Sequence, residues 1–275
     1  MGVDQNLKIA KVINTCYLPR EIRKNTLIIG NPPGYFGHSQ NFTNVESINR
    51  LILYHINQPL GLSNTVPMDI ILVNNDIGNN EGNIFLSQLD GNSIKKGKIK
   101  VLHRENTGRA FGSYNQAVTT YGDLYSHYVF TEDDILIYGQ DYIEKTLDII
   151  NSDSEIGFVA FQALNTVYRD LNYDQSIHAH GGVGMAPYKV LKKIIDIYQK
   201  LPFASNPARQ EYCDVIYEGE VKFTNLIHQL GYKLIACPDH YKFYEYAYDY
   251  ERGRKVPRYA TEFQVNMQKL KALIY

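Results

Sequence analysis

The chain has 275 residues, 44% of them hydrophobic and 21% charged, with a net charge of -1. That length can bury one sizeable core, and the near-neutral charge excludes a global field that gathers nucleic acid or membrane. Three cysteines (Cys16, Cys213, Cys237) without a C-x-x-C pair exclude a disulfide scaffold and a cysteine-held structural zinc, and fit a reducing compartment.

Ile9-Ala10-Lys11-Val12-Ile13 predicts a first strand that ends at Asn14-Thr15. Residues 19–42 are irregular, with the loop signal Asn31-Pro32-Pro33-Gly34. Thr43-x-x-Glu46 reads as a capping box, followed by Val45, Ile48, Leu51, Ile52 and Ile56 on one helical face. Asp69 to Val73 is a buried strand running into the polar loop Asn74-Asn75-Asp76-Ile77-Gly78. Ile99 to Leu102 is a strand, and Ala110, Tyr114, Ala117, Val118 and Tyr121 mark a helix. Tyr128-Val129-Phe130-Thr131 is the next strand, and Tyr142, Ile143, Leu147 and Ile150 the next helix.

Ile156 to Phe161 is a strand, and His178 to Met185 a strand or glycine-rich loop. Pro187 suits a first helical turn ahead of Val190, Leu191, Ile194 and Tyr198. Phe223, Leu226, Ile227 and Leu230 form a helix closed by Gly231. Lys233 to Cys237 is the last strand expected, and Phe263, Met267, Leu270 and Ile274 an amphipathic terminal helix. Such alternation predicts an α/β domain with a mostly parallel sheet between helical layers.

Glu132-Asp133-Asp134 sits directly behind the Tyr128 strand. Three successive carboxylates cannot be a strand interior, because each needs a partner or water. Ligands bind outside the carboxyl ends of parallel strands, and crowded carboxylates there suit a hard divalent cation that also grips phosphate. An acidic turn capping the next helix is the plainer alternative. Arg104-Glu105-Asn106-Thr107-Gly108 and Gly112 lie between a strand and a helix; their glycines allow close backbone approach, and Arg104 offers a planar fork.

The order of these motifs resembles the nucleotide-sugar half of GT-A glycosyltransferases, in particular the family 2-like group, over roughly residues 8–245. Glu132-Asp133-Asp134 stands where that family has its D-x-D-type acidic motif, and Asn74-Asn75-Asp76 where it has an acidic base-binding loop. His180-Gly181-Gly182-Val183-Gly184-Met185 resembles its glycine-rich segment. Glu218-Gly219-Glu220 ahead of a helix ending in Gly231-Tyr232 resembles its acidic doublet, here interrupted by glycine.

The resemblance implies a single GT-A domain over 1–250, with a basic segment over 251–275. It implies a metal-dependent, inverting glycosyltransferase. Glu132, Asp134 and His240 would hold Mn2+ or Mg2+. Thr15, Asn75, Asp76, Arg104, Asn106, Gly108, Asp133, Gly181 and Gly182 would bind the nucleotide sugar, a UDP-sugar by family frequency. Glu220, with Glu218 as rival, would be the general base toward a glycan or lipid-linked acceptor. A sugar nucleotidyltransferase and a non-catalytic nucleotide- or sugar-binding module on the same fold are the alternatives.

Met1 to Lys11 has no apolar core of signal-peptide length, and no apolar stretch approaches ~20 residues, so a cytoplasmic protein is expected. Arg252, Arg254, Lys255 and Arg258 leave two readings open. One is a solvated basic face; the other is peripheral contact with anionic lipid at the inner face of the membrane.

Overall fold

A computed structural model describes residues 7–17, 45–57, 66–95, 97–133, 135–137, 141–161, 163–164, 178–207, 210, 212–237 and 244–246. The irregular segment 19–42, the Thr43 cap, the basic segment and the terminal helix pattern lie outside the described residues, as do Asp134 and His240.

In chain order the elements are β1 (Ile9–Thr15), α1 (Val45–Asn57), β2 (Met68–Asp76), α2 (Asn80–Leu89), β3 (Ser93–Ile94), β4 (Gly97–Glu105) and α3 (Arg109–Tyr121). Then come β5 (His127–Glu132), β6 (Ile135–Ile137), α4 (Tyr142–Ser152), β7 (Ile156–Ala160), β8 (Ala163–Leu164), β9 (His178–Ala179), β10 (Gly184–Pro187) and α5 (Tyr188–Tyr198). The last are α6 (Tyr212–Ile216), a π-helical turn (Tyr217–Val221), α7 (Lys222–Gln229), β11 (Lys233–Ala236) and β12 (Tyr244–Tyr246).

Eight strands form one sheet in the order β11-β7-β10-β5-β1-β2-β4-β3. It is mostly parallel: β4, β2, β1 and β5 run together, as do β7 and β11, while β10 is antiparallel between β5 and β7. The expected α/β class, with helices on both faces, is therefore what the chain adopts.

The period-2 alternation of β1 shows why. Ala10 and Val12 face a cluster with Phe111, Tyr114, Leu191, Ile194, Phe223 and Ile227, from α3, α5 and α7. Ile9 meets Ile143 and Leu147 of α4, and Ile13 meets Ile48, Ile52 and Leu86 of α1 and α2. β1 is apolar on both faces because both faces are covered. The exception is Lys11, wholly buried, with Nζ 3.5 Å from the His55 carbonyl and its pKa pushed down to about 7 by burial.

Several boundaries depart from the sequence reading. Asn74, Asn75 and Asp76 are the end of β2, not a loop, since β2 stays paired with β4 through Asp76–Glu105. Helix α2 was not anticipated; Asn79 caps it, accepting from the Gly82 N–H at 2.9 Å. Pro187 ends β10 and precedes α5 rather than opening its first turn. Lys233–Ala236 is not the last strand, because Tyr244–Tyr246 pairs with β6 beyond it.

The position of β1 fixes where a ligand can enter. The chain runs from β1 outward through β2 and β4, then returns to place β5 on the other side of β1. In open α/β sheets such a reversal is where ligands bind, and here it falls at the carboxyl ends of β1 and β5.

Candidate functional site

A buried polar network lies at these strand ends. Thr15 Oγ1 donates to Asp133 Oδ2 at 2.6 Å, across the β1–β5 boundary, and the Asp133 N–H donates to the Asn14 carbonyl at 3.0 Å. Asn14 Oδ1 accepts from Asn75 Nδ2 at 2.6 Å and lies 2.8 Å from the Ser113 hydroxyl. Asn75 Oδ1 faces the Arg104 guanidinium, which also donates to the Thr107 carbonyl at 2.7 Å. A continuous chain of hydrogen bonds thus runs from Arg104 to Asp133. Networks satisfied in this way hold one geometry.

The network refines several expectations. Asn75 is 1% exposed, with its amide engaged on both sides, so it holds Arg104 in place from beneath. Asp76 is more open: its carboxylate accepts from the Gly78 N–H at 2.8 Å and from Asn83, which hold its pKa below the ordinary carboxylate value. Asn106 is half-buried in the turn after β4. Gly108 adopts φ 72°, and a Cβ there would come 2.5 Å from the Phe203 ring, while its N–H donates to Gln210 at 2.7 Å. A side chain at Gly112 would meet the Arg104 guanidinium. The close approach that these glycines permit is therefore of the protein's own Phe203 and Arg104. Asn14 and Ser113 were not singled out in the sequence; their one signal was a short polar residue at a strand end or near a helix start.

The second half of the site is built on the turn His180–Gly182. Gly181 and Gly182 take left-handed conformations, with φ 59° and 67°. A Cβ on Gly181 would lie 2.7 Å from Glu132 Oε1, and one on Gly182 would lie 2.6 Å from the Phe111 ring. Tyr114 donates to the Gly181 carbonyl at 3.1 Å. The Gly181 N–H donates to the Glu220 carboxylate. Gly181 is thus the joint between the acidic end of β5 and Glu220.

Glu220 is not at a helix start, as the sequence suggested. α6, the π-helical turn and α7 form one run from Tyr212 to Gln229, with right-handed helical backbone at Ile216, Val221 and Lys222. No helix N-terminus favours the ionised form here. Burial pushes the Glu220 carboxyl up to about 8, against the opposing Gly181 hydrogen bond. The π turn shifts the register within the helix, a feature often found at functional sites. Gly219 is required by packing, because a Cβ would sit 2.8 Å from the Phe111 ring. That contact is why glycine interrupts the acidic doublet. Glu218 turns elsewhere and pairs with Lys222 at 3.1 Å.

Glu132 is half-buried and Asp133 buried at the end of β5. Among the described residues no group of three His, Cys, Asp or Glu side chains is placed to hold a metal; Asp134 and His240 lie outside those residues. Beneath the acidic turn, His55 Nε2 lies 3.0 Å from the Asp133 carbonyl, and burial together with Lys11 keeps that imidazole well below its ordinary pKa. Nothing in the sequence beyond a helical His marked it. No described helix is long and apolar enough to cross a membrane.

No protein-family model and no curated protein sequence matches the chain. Among solved structures it is similar to a mannosyltransferase from Pyrobaculum calidifontis in complex with GDP-Man and Mn2+, at 12% identity and TM-score 0.46, over 86% of this chain and 55% of that one. The chain spans about half the length of that mannosyltransferase. It is also similar to 4-diphosphocytidyl-2C-methyl-D-erythritol synthase from Anaerococcus prevotii, at 10% identity and TM-score 0.43, over 85% of this chain and 89% of that one. A third is a CMP:2-keto-3-deoxy-manno-octonic acid synthetase complexed with CTP, at 11% identity and TM-score 0.44, over 96% and 99% of the two chains.

Proposed function

We propose that the chain is a metal-dependent glycosyltransferase that moves a sugar from a nucleoside-diphosphate sugar to a hydroxyl acceptor. One observation carries this reading: Glu220, a buried carboxyl with a pKa raised to about 8, meets the acidic end of β5 through Gly181, where β1 and β5 end side by side. A hydroxyl is a poor nucleophile until its proton has somewhere to go, and a carboxyl with a pKa near neutrality is matched to that task. A phosphate nucleophile is already ionised and needs no such base.

In this account the nucleotide lies over Asp76 and the Arg104 turn, its base most simply uracil. Its diphosphate reaches the end of β5. The Glu132 carboxylate there suits a hard cation, which Glu132 would hold with Asp134 and His240. Such a cation, when bound, supplies the counter-charge for the diphosphate. Glu220 takes the proton of the acceptor hydroxyl as that oxygen bonds to the anomeric carbon. The carbon–oxygen bond to the diphosphate breaks, and nucleoside diphosphate leaves. The acceptor is a glycan or a lipid-linked molecule.

The test is product identity. Nucleotide sugars plus acceptors are expected to release nucleoside diphosphate. Pyrophosphate formed from a nucleoside triphosphate and a sugar phosphate would show a nucleotidyltransferase instead. Binding without turnover on either set would show a non-catalytic module.

A further inference from the structure

His178 lies on β9, wholly buried, with Nε2 3.8 Å from Glu220 Oε2. β9 packs directly on the π-helical turn that carries Glu220. That oxygen is buried and has no hydrogen-bond partner among the described residues. A carboxyl left in an apolar setting stays protonated and cannot accept a second proton. We infer that His178 is the positioning residue of Glu220: its imidazole holds the carboxyl proton, leaving an ionised carboxylate oxygen for the acceptor hydroxyl. This rests on the assignment of Glu220 as the base.

The proton balance is simple. Before transfer the pair holds one proton, on His178, with Glu220 ionised. As the acceptor oxygen bonds to the anomeric carbon, its proton goes to Glu220, and the bond to the diphosphate breaks. The pair then holds two protons and returns one to solvent after product leaves.

The other groups facing Glu220 do not supply this function. His180, on the turn packed against the π-helical segment, is held down at about 4 by burial and then by His178, so it stays neutral at working pH. Glu132 approaches Gly181 from β5 and is acidic, so it supplies no positive charge to Glu220. Glu218 and Lys222 pair with each other, and Asp214 is on the preceding helix. Among the described residues, His178 is the basic side chain within 4 Å of the Glu220 carboxylate.

The experiment has two arms on the full chain. In the first, the pH profile of transfer is compared between the parent and His178→Gln, whose side-chain amide sits near Nε2 but cannot carry the proton. The acid limb is expected to move up by about one pH unit, roughly tenfold in rate at neutral pH, with recovery at alkaline pH. Superimposable profiles would overturn the inference. The second arm needs no turnover, so it stands even if the glycosyltransferase reading fails. Urea unfolding of the parent, Glu220→Gln, His178→Gln and the double variant is measured from about pH 5 to about pH 9. A pair sharing one proton gives a coupling that peaks near neutrality and fades at both ends. A coupling absent or flat across that range would overturn the inference. If His178→Gln does not fold, the ring-nitrogen shifts of His178 are read by NMR in the parent and Glu220→Gln. An imidazolium in the parent that becomes neutral in the variant supports the pair, and a neutral ring in both contradicts it.

Discussion

At the amino edge of the sheet, Asp69 is 4% exposed and is answered from every side. Tyr125 donates to Oδ2 at 2.6 Å, the Lys98 N–H donates to Oδ1 at 2.8 Å, and Lys8 and Lys100 stand 3.1 and 3.4 Å from Oδ2. Burial would raise its pKa, but Tyr125, Lys98 and Lys8 together outweigh that and hold it below the ordinary value. On the π-helical turn, Glu220 is also buried but receives one backbone hydrogen bond and a more distant imidazole, so burial wins. The same domain thus commits one buried carboxylate to stability and leaves another whose ionised form is opposed by burial. A charge whose partners are complete has no free energy left for chemistry; one whose partners are incomplete can change state when a substrate arrives.

The largest effect expected from this contrast is on transfer. Glu220→Gln should retain donor affinity, because the amide is nearly isosteric, yet lose transfer by ~10²–10⁴-fold. Glu218→Gln should lose far less, since its carboxylate already pairs with Lys222. Rate and donor affinity measured side by side decide this; a dead Glu218 variant with an active Glu220 variant would reverse the two roles.

At the amino edge, Asp69→Asn should destabilise the fold by about 2 kcal/mol in urea while leaving transfer per folded molecule unchanged. That is less than the ~3–5 kcal/mol for breaking a fully buried pair, because Lys8 is 43% exposed.

Gly219→Ala sets two effects against each other. Helix propensity gains about 1 kcal/mol, while overpacking against buried Phe111 costs about 1–3 kcal/mol. Packing should win, leaving a net loss of about 1 kcal/mol, and Phe111→Leu should recover most of it. A stabilised Gly219→Ala would contradict the contact.

The subtlest difference is in pH dependence. Glu220 is raised from 4.5 to about 8 in the fold, so the unfolded chain releases this proton first as pH rises. Its contribution is fully present below about 4.5 and is lost as pH climbs to about 8. Asp69 has the opposite sign: its contribution is present above its ordinary value of 3.8 and is lost as pH falls through its lower folded pKa. Glu220→Gln should therefore match the parent's stability in acid and exceed it at about pH 8. Thermal melts across that range check the sign. A gap that widens toward acid would contradict the burial of Glu220.

Much of this was legible from the residues alone. Apolar runs such as Ile9–Ile13 and Asp69–Val73 marked the strands, because strands covered on both faces need little polarity. The carboxylates behind Phe130 marked the carboxyl end of β5. What local sequence did not carry was tertiary. The insertion of β10 antiparallel beside β5, the π-helical turn that aims Glu220, and the links from Asn14 and Ser113 to Asn75 join residues far apart in the chain. Glu218-Gly219-Glu220 read as a helix start, because acidic residues favour that place. Phe111, more than a hundred residues earlier, is what makes the glycine there a packing requirement.

The most direct test of the central claim is calorimetric binding of nucleoside-diphosphate sugars to the parent chain, with and without Mn2+, repeated with Asp134→Ala. The account predicts that at least one donor binds in a Mn2+-dependent manner and that the variant loses that dependence. Equal metal-dependent affinity in the variant, or no binding of any nucleoside-diphosphate sugar, would contradict it.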